Sequence, residues 1–392
     1  MTAPEPPALI PSQRALFDIP RDVAYLNCAY MSPLLREVRE TGQRALARKS
    51  EPWTISPPDF FRDASDARTL FAALIGAAAS DVAIVPSVSY GMAVATANLP
   101  LGPGQRVLML SEGFPSVVYP WRERAREVGA EVVMIPRPAD DDWTAAVLEA
   151  IGDQTAVAAL PVCHWTDGGL LDLRAISARL REVGAALAVD ATQSLGALPF
   201  DLHRVRPDFL VTAAYKWLLG PYSLGFLYVA PQWQDGRPIE HNWIAREGSE
   251  DFAGLVRYRD AFQPGARRFD QGELPFVGPL PMAVAALRQI QAWQVDRIGA
   301  TLARLTGQIA GRAAELGIGS VPNGRRAPHY LGLRFPGGVP AGLGERLAAH
   351  RVFVSTRGRS LRVTPHLYND QEDIDRFFQA LEAALDTGSA RA

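Results

Sequence analysis

Two residues of this chain have the types and placement for covalent chemistry, Asp190 and Lys216. Asp190 ends the apolar run at 185–189, and Lys216 follows a second run, 208–212, by four residues. Both runs read as buried strands of a parallel sheet, and α/β folds place their ligands at the carboxyl ends of such strands. A carboxylate and an amine delivered to one crevice suit pyridoxal 5'-phosphate. The amine forms a Schiff base, and the carboxylate keeps the pyridine nitrogen protonated so that the ring accepts electrons. Taken singly, each residue reads as well as half of a buried ion pair or as an exposed lysine. The surrounding motifs decide between these readings.

Pro86-Ser87-Val88-Ser89-Tyr90-Gly91 lies between an expected strand and an expected helix. Its hydroxyls and amides suit a phosphate at a helix start, or the serine is a plain N-cap. Glu112-Gly113-Phe114-Pro115-Ser116 follows another strand end, where the Phe114 ring either stacks on a flat cofactor or belongs to the core. In Asp190-Ala191-Thr192-Gln193 the Gln193 amide is placed to hydrogen-bond the phenolic oxygen of pyridoxal. Tyr215 brings a hydroxyl beside Lys216, for the phosphate or for packing. His164, in His164-Trp165-Thr166-Asp167-Gly168, either orients substrate and moves protons or is a hydrogen-bonded structural histidine. Arg362 sits on a short expected strand, where a buried guanidinium binds a carboxylate through paired hydrogen bonds or makes a surface salt bridge.

The elements that must position these residues follow from hydrophobic pattern. Strands are expected at 82–86, 106–110, 131–135, 156–162, 186–190, 208–212 and 223–229, with helices at 64–76, 91–98, 116–128, 142–151 and 172–183. That alternation predicts a seven-stranded, mainly parallel α/β sheet covered on both faces. The turn at Gly220-Pro221 is too short for a crossover helix, so the last strand should run antiparallel. A helix from about 281 towards 316, with a break at Gly299, leads into a smaller α+β unit: strand 330–335, helix 341–350, strands 352–355 and 360–364, helix 370–386. The expected division is a Pro-rich arm (1–20), a large cofactor-binding domain (21–280) and a small C-terminal domain (281–392) joined by the arm.

A net charge of −2 gives no electrostatic case for nucleic acid or anionic membrane. No stretch reaches the ~20 apolar residues of a membrane helix, and the start lacks the basic-then-apolar pattern of a secretory signal. Cys28 and Cys163 have no ligand-like spacing, so neither a metal nor a disulfide is expected, and a cytoplasmic location is the default.

Together these residues resemble the class V aminotransferase superfamily, fold type I of the pyridoxal-phosphate enzymes, from Tyr25-Leu26-Asn27 to Tyr368-Asn369-Asp370. Phe114-Pro115 is similar to the ring-stacking segment of kynureninases, Tyr215-Lys216 to their Tyr-Lys pair, and Gln193 to the cysteine desulfurases. The resemblance implies a phosphate cup at Val88, Ser89 and Tyr90, with Tyr215 also on the phosphate. It implies an α-carboxylate site at Arg362. Trp243 either reaches the site across a dimer interface or packs in the core. It also implies a homodimer with the active site between subunits, acting on a small α-amino acid by exchange at Lys216 and removal of the Cα proton. Cleavage of a bond at Cβ, as in kynureninases or sulfur lyases, is the leading expectation. Transamination with a keto-acid acceptor and epimerisation of the isopenicillin N epimerase type are the alternatives. Three departures bear on the outcome. Ser355–Ser360 holds no desulfurase cysteine, Glu273 replaces a threonine that reaches the neighbouring subunit's phosphate, and Gln193 stands near where kynureninases have a histidine.

Overall fold

The chain begins with a two-residue strand, β1 (Ala24–Tyr25), and two helices, α1 (Arg36–Lys49) and α2 (Asp59–Ile75). The structure, a computed structural model, describes residues 7–389. Strands and helices then alternate through β2 (Val82–Val85), α3 (Val88–Asn98), β3 (Arg106–Leu110), α4 (Pro115–Val128), β4 (Glu131–Ile135) and α5 (Trp143–Ala150). The pattern continues through β5 (Thr155–Pro161), α6 (Leu173–Glu182), β6 (Ala186–Asp190), α7 (Leu202–Val205), β7 (Phe209–Ala213) and β8 (Gly225–Val229).

These strands form one seven-stranded sheet in the order β2-β8-β7-β6-β5-β3-β4. Its central strands are apolar on both faces, as helices packed above and below require. The pairs from β4 through β7 are parallel, and β8 is antiparallel to both β7 and β2, as the short turn at Gly220-Pro221 demands. After β3 the chain adds β4 on one side, then returns to place β5 on the other. That reversal opens a crevice at the carboxyl ends of β3 and β5.

After an irregular stretch come α8 (Pro279–Trp293) and α9 (Val295–Glu315). The break between them falls at Gln294, a left-handed residue with φ 67°, and not at Gly299. Gly299 lies inside α9, where an added Cβ would press within 3.0 Å of the Ala197 carbonyl, so it marks a close helix approach. The remaining elements are β9 (Gly319–Ser320), β10 (Leu331–Arg334), α10 (Leu343–Ala349), β11 (Val352–Phe353), β12 (Ser355–Arg357), β13 (Ser360–Val363) and α11 (Gln371–Ser389). Strands β12, β13, β10 and β9 form a second, antiparallel sheet in that order, while β11 pairs in parallel with β1. Ile10 and Phe17 are buried in the same core as α9, α11, β10 and β13, and Arg14 reaches Asp373 at 2.9 Å. That core also holds Trp217, next to Lys216. No helix among the described residues is long and apolar enough to cross a membrane.

One buried carboxylate ties the two sheets together behind the crevice. Asp167, in the loop after β5, accepts from Arg137 at 2.6 Å and from Arg334 of β10 at 2.7 Å. Arg334 also holds Asp141 through two bonds of 2.8 Å. Gly332 lets β10 approach, because a Cβ there would lie 2.6 Å from the Asp167 Cα. Burial alone would raise the Asp167 pKa, but Arg137, His164 and Arg334 together hold it below the usual carboxylate value. The stability this contributes is present above the unfolded pKa and is lost as pH falls through the lower folded one. Replacing Asp167 leaves Arg334 with Asp141 and Arg137 with Glu112 as their remaining carboxylate partners, so Asp167→Asn should cost about 1–3 kcal/mol, read as a lowered urea midpoint. An unchanged midpoint would show that the two sheets do not depend on this cross-link.

Candidate active site

The carboxyl ends of β3, β5, β6 and β7 open onto one cavity of about 230 Å³, lined among others by Phe114, His164, Asp190, Gln193, Tyr215 and Lys216. The cavity thus brings together residues spread over about a hundred positions of sequence. Val88 lines the cavity too, with Ser87, at the start of α3.

Asp190 is the last residue of β6 and is buried. Burial pushes its pKa up, partly offset by hydrogen bonds from Thr192, whose amide lies 3.0 Å from Oδ1. Among the described residues no cation lies within ion-pairing distance of it. Lys216 is buried as well, and burial lowers its pKa to about 8. Asp190 opposes that shift, while Arg362 and Arg357 add to it. Acid and amine thus share one cavity, and burial pushes each towards its neutral form. Lys216 Nζ lies 5.4 Å from the centre of the Phe114 ring and 5.5 Å from that of Tyr215.

The lysine's backbone is held from two sides. Gly196, with φ 99°, passes so close that a Cβ would overlap the Trp217 carbonyl oxygen. Ser32 donates its amide to the Tyr215 carbonyl at 3.0 Å. Phe114 is the N-cap residue of α4 and meets Trp165 edge to face at 5.4 Å. The Tyr215 ring packs on Tyr222 at 4.6 Å, and burial raises its phenol to about 12, so it stays protonated at neutral pH.

At the other end of the cavity Ser87 caps α3 by accepting from the Tyr90 amide at 3.2 Å, and its hydroxyl lies 2.9 Å from that of Ser89. Gly91 fixes the helix here, because a Cβ would come 2.6 Å from a Val211 methyl on β7. With the Tyr90 amide taken by Ser87, the Val88 and Ser89 amides of the first turn are left to meet an anion. Tyr90 is engaged at both ends, its amide on Ser87 and its phenol on Glu240 at 2.9 Å.

Two expected residues are already engaged. His164 stacks on Trp143 at 5.2 Å. Its Nδ1 meets the Thr166 hydroxyl at 2.8 Å, and its Nε2 meets the Ser111 carbonyl at 3.1 Å. Burial lowers its pKa, so it is a neutral imidazole with both nitrogens occupied. The Gln193 carbonyl oxygen accepts from the Trp217 indole at 3.0 Å, and its amide nitrogen donates to Ala29 at 3.1 Å. Four others stand off the cavity lining, Ser89 and Tyr90 at the start of α3 and, farther away, Trp243 and Arg362. Trp243 packs with Phe60, Phe61 and Phe252 in an aromatic cluster. Arg362 lies behind Trp165, buried, with Nη1 at 3.3 Å from both the Trp165 carbonyl and the Tyr330 hydroxyl; its Nε has no partner. Thr192, Trp165 and Arg137 were not singled out from sequence. Thr192 had a readable signal, a hydroxyl residue two positions after a strand-end aspartate, which is an Asx-turn pattern.

Comparison with known proteins bears on this geometry. The class-V aminotransferase family model matches residues 58–377. The isopenicillin N epimerase of Streptomyces clavuligerus is 27% identical, over 92% of this chain and 94% of that protein. The uncharacterized aminotransferase YcbU of Bacillus subtilis is 29% identical, over 79% of this chain and 80% of that protein. A structure of a C-DES variant with glycine covalently linked to its PLP cofactor superposes with a TM-score of 0.86 at 18% identity, covering 94% of this chain and 99% of its own. The seven-stranded sheet, its crevice and a family match that spans every large-sheet strand agree: the chain belongs to the class-V aminotransferase family.

Proposed function

We propose that this chain is a pyridoxal 5'-phosphate enzyme that acts on a small α-amino acid and breaks a bond at Cβ. The observation that carries the reading is the buried, unpaired Asp190 facing the same cavity as the buried Lys216. The residues fit the cofactor. Asp190 lacks a cationic partner, which a pyridinium supplies, the start of α3 offers amides and serine hydroxyls to a phosphate, and Phe114 offers a ring face. When bound, the cofactor supplies an aldehyde for amines and an electron-accepting ring that acidifies the Cα proton.

Lys216 holds the aldehyde between turnovers and, once released, is the base that takes the Cα proton at Nζ. Arg362 orients the substrate through its α-carboxylate, and its unpartnered Nε supports this role. Protonated Tyr215 donates a hydrogen bond towards the phosphate. His164 packs and orients rather than moving protons, because both its nitrogens are occupied. With Lys216 as the base in the cavity, removal of the Cα proton followed by loss of a Cβ substituent needs no second base. Kynureninases are among the relatives, one of them 30% identical over 66% of this chain. The hairpin Ser355–Ser360 carries no cysteine to accept sulfur. Epimerisation is the second reading, favoured by the 92% coverage of the isopenicillin N epimerase relative. A homodimer with its site at the subunit interface fits the place of Trp243 outside this chain's own cavity.

Incubating the holoprotein with a panel of amino acids should release a cleaved side-chain fragment in step with loss of substrate. Stoichiometric amine transfer to an added keto acid, or inversion without cleavage, would overturn the Cβ reading. The lowered lysine pKa gives a second outcome. Only the neutral amine attacks an aldehyde, and at pH 7 about a tenth of a group with a pKa of about 8 is neutral. The rate at which cofactor-free protein captures pyridoxal 5'-phosphate, followed by absorbance, should rise about tenfold from pH 6 to 7 and level off above about 8. A rise continuing to pH 10 would mean that Lys216 is not desolvated.

A further inference from the structure

The hairpin formed by β12 and β13 presents more than the α-carboxylate arginine. In its register Ser355 pairs with Arg362 and Arg357 pairs with Ser360. Side chains opposite one another, and those two apart along a strand, share a face. Arg357, Ser355, Ser360 and Arg362 therefore all project from one side of the sheet. The connection is the two-residue turn Gly358-Arg359, with Gly358 at φ 54°, which holds the arginine-bearing strand in fixed register.

Arg357 is half-buried, and no carboxylate of the described residues pairs with it. Its neighbours are the Thr356 carbonyl at 2.7 Å and the Tyr30 ring at 5.9 Å. Its charge is felt at Lys216, together with that of Arg362. Burial and the charge of Arg362 both disfavour the Arg357 guanidinium, and an anion bound between the two arginines would offset both effects. Arg362 suffices for one carboxylate, so Arg357 answers to another.

Resting on the cofactor reading above, we propose that Arg357 is a specificity residue that binds a second anionic group, so that the substrate is an amino acid with an acidic side chain. Arg362 takes the α-carboxylate, and Arg357 takes the acid at the end of the side chain, across the mouth beside Tyr30. Ser355 and Ser360, on the same face, stand between the two arginines.

The test compares isosteric acid and amide pairs, L-glutamate against L-glutamine and L-aspartate against L-asparagine, by absorbance titration of the holoprotein. Glutarate and butyrate, which have no amine, are titrated by calorimetry as a readout independent of turnover. A charge-assisted pair predicts that at least one acid binds about tenfold or more tightly than its amide, and glutarate more tightly than butyrate by a similar factor. R357Q should bring that ratio close to one, R357K should keep part of it, and R362Q should weaken acid and amide alike with the ratio preserved. Equal binding of acid and amide by the unaltered protein overturns the proposal without recourse to any variant, as does a ratio that survives R357Q. A holoprotein with normal cofactor absorbance that binds neutral amino acids without acid preference sinks the assignment of Arg357 and leaves the cofactor reading standing. A protein that takes up no cofactor sinks both.

Discussion

The structure depends on two opposite charges buried in one cavity without touching. Desolvation drives the Asp190 carboxyl up and the Lys216 amine down, and the attraction between them, short of an ion pair, offsets each shift only in part. A protein that only needed stability would close that gap or fill it with apolar side chains. Holding the groups apart leaves each in want of a partner that a flat heterocycle with a ring nitrogen and an aldehyde provides at its two ends. The surrounding architecture can be understood as what keeps this unfavourable arrangement from collapsing.

Three constraints do so. The topological reversal between β3 and β5 delivers strand ends, and therefore Phe114, His164 and Asp190, to one crevice. Gly196 and Ser32 clamp the backbone on either side of Lys216, so the lysine's position is set by main chain and not by a mobile loop. The Arg137–Asp167–Arg334 network holds the second sheet, with Arg362 and Arg357, against the loops that line the cavity. In the proposed reading, substrate recognition and cofactor chemistry come from different sheets, joined in part through the buried carboxylates Asp167 and Asp141.

The large sheet was legible in the sequence because its strands are short apolar runs separated by amphipathic helices. All seven are present, with ends shifted by no more than two residues. Helix α1 was not legible: it is highly charged, and Val38 and Gly42 are the residues it buries, so it has little apolar stripe to read. Helix α2 begins at Asp59, five residues before its apolar pattern becomes regular. The break at Gln294 was hidden because a left-handed glutamine has no composition signal, whereas Gly299 looked like a breaker and serves as a contact point. Within the site, residue types at strand ends marked Asp190, Lys216, Phe114 and Tyr215 correctly as cavity neighbours. What sequence cannot convey is which polar atoms are already spent. The Gln193 amide and His164 Nε2 are committed to neighbours far away in sequence, and Arg357 acquires its meaning only from cross-strand register.

The central claim is a covalent link between one amine and one aldehyde. Reducing the holoprotein with borohydride, digesting it and sequencing the peptides by mass spectrometry tests it most directly. The account predicts a phosphopyridoxyl group on Lys216 at close to one per chain, lost when Asp190 and the cavity are intact but Lys216 is replaced by alanine. Label found on another lysine, or an unmodified peptide spanning Lys216, would contradict it.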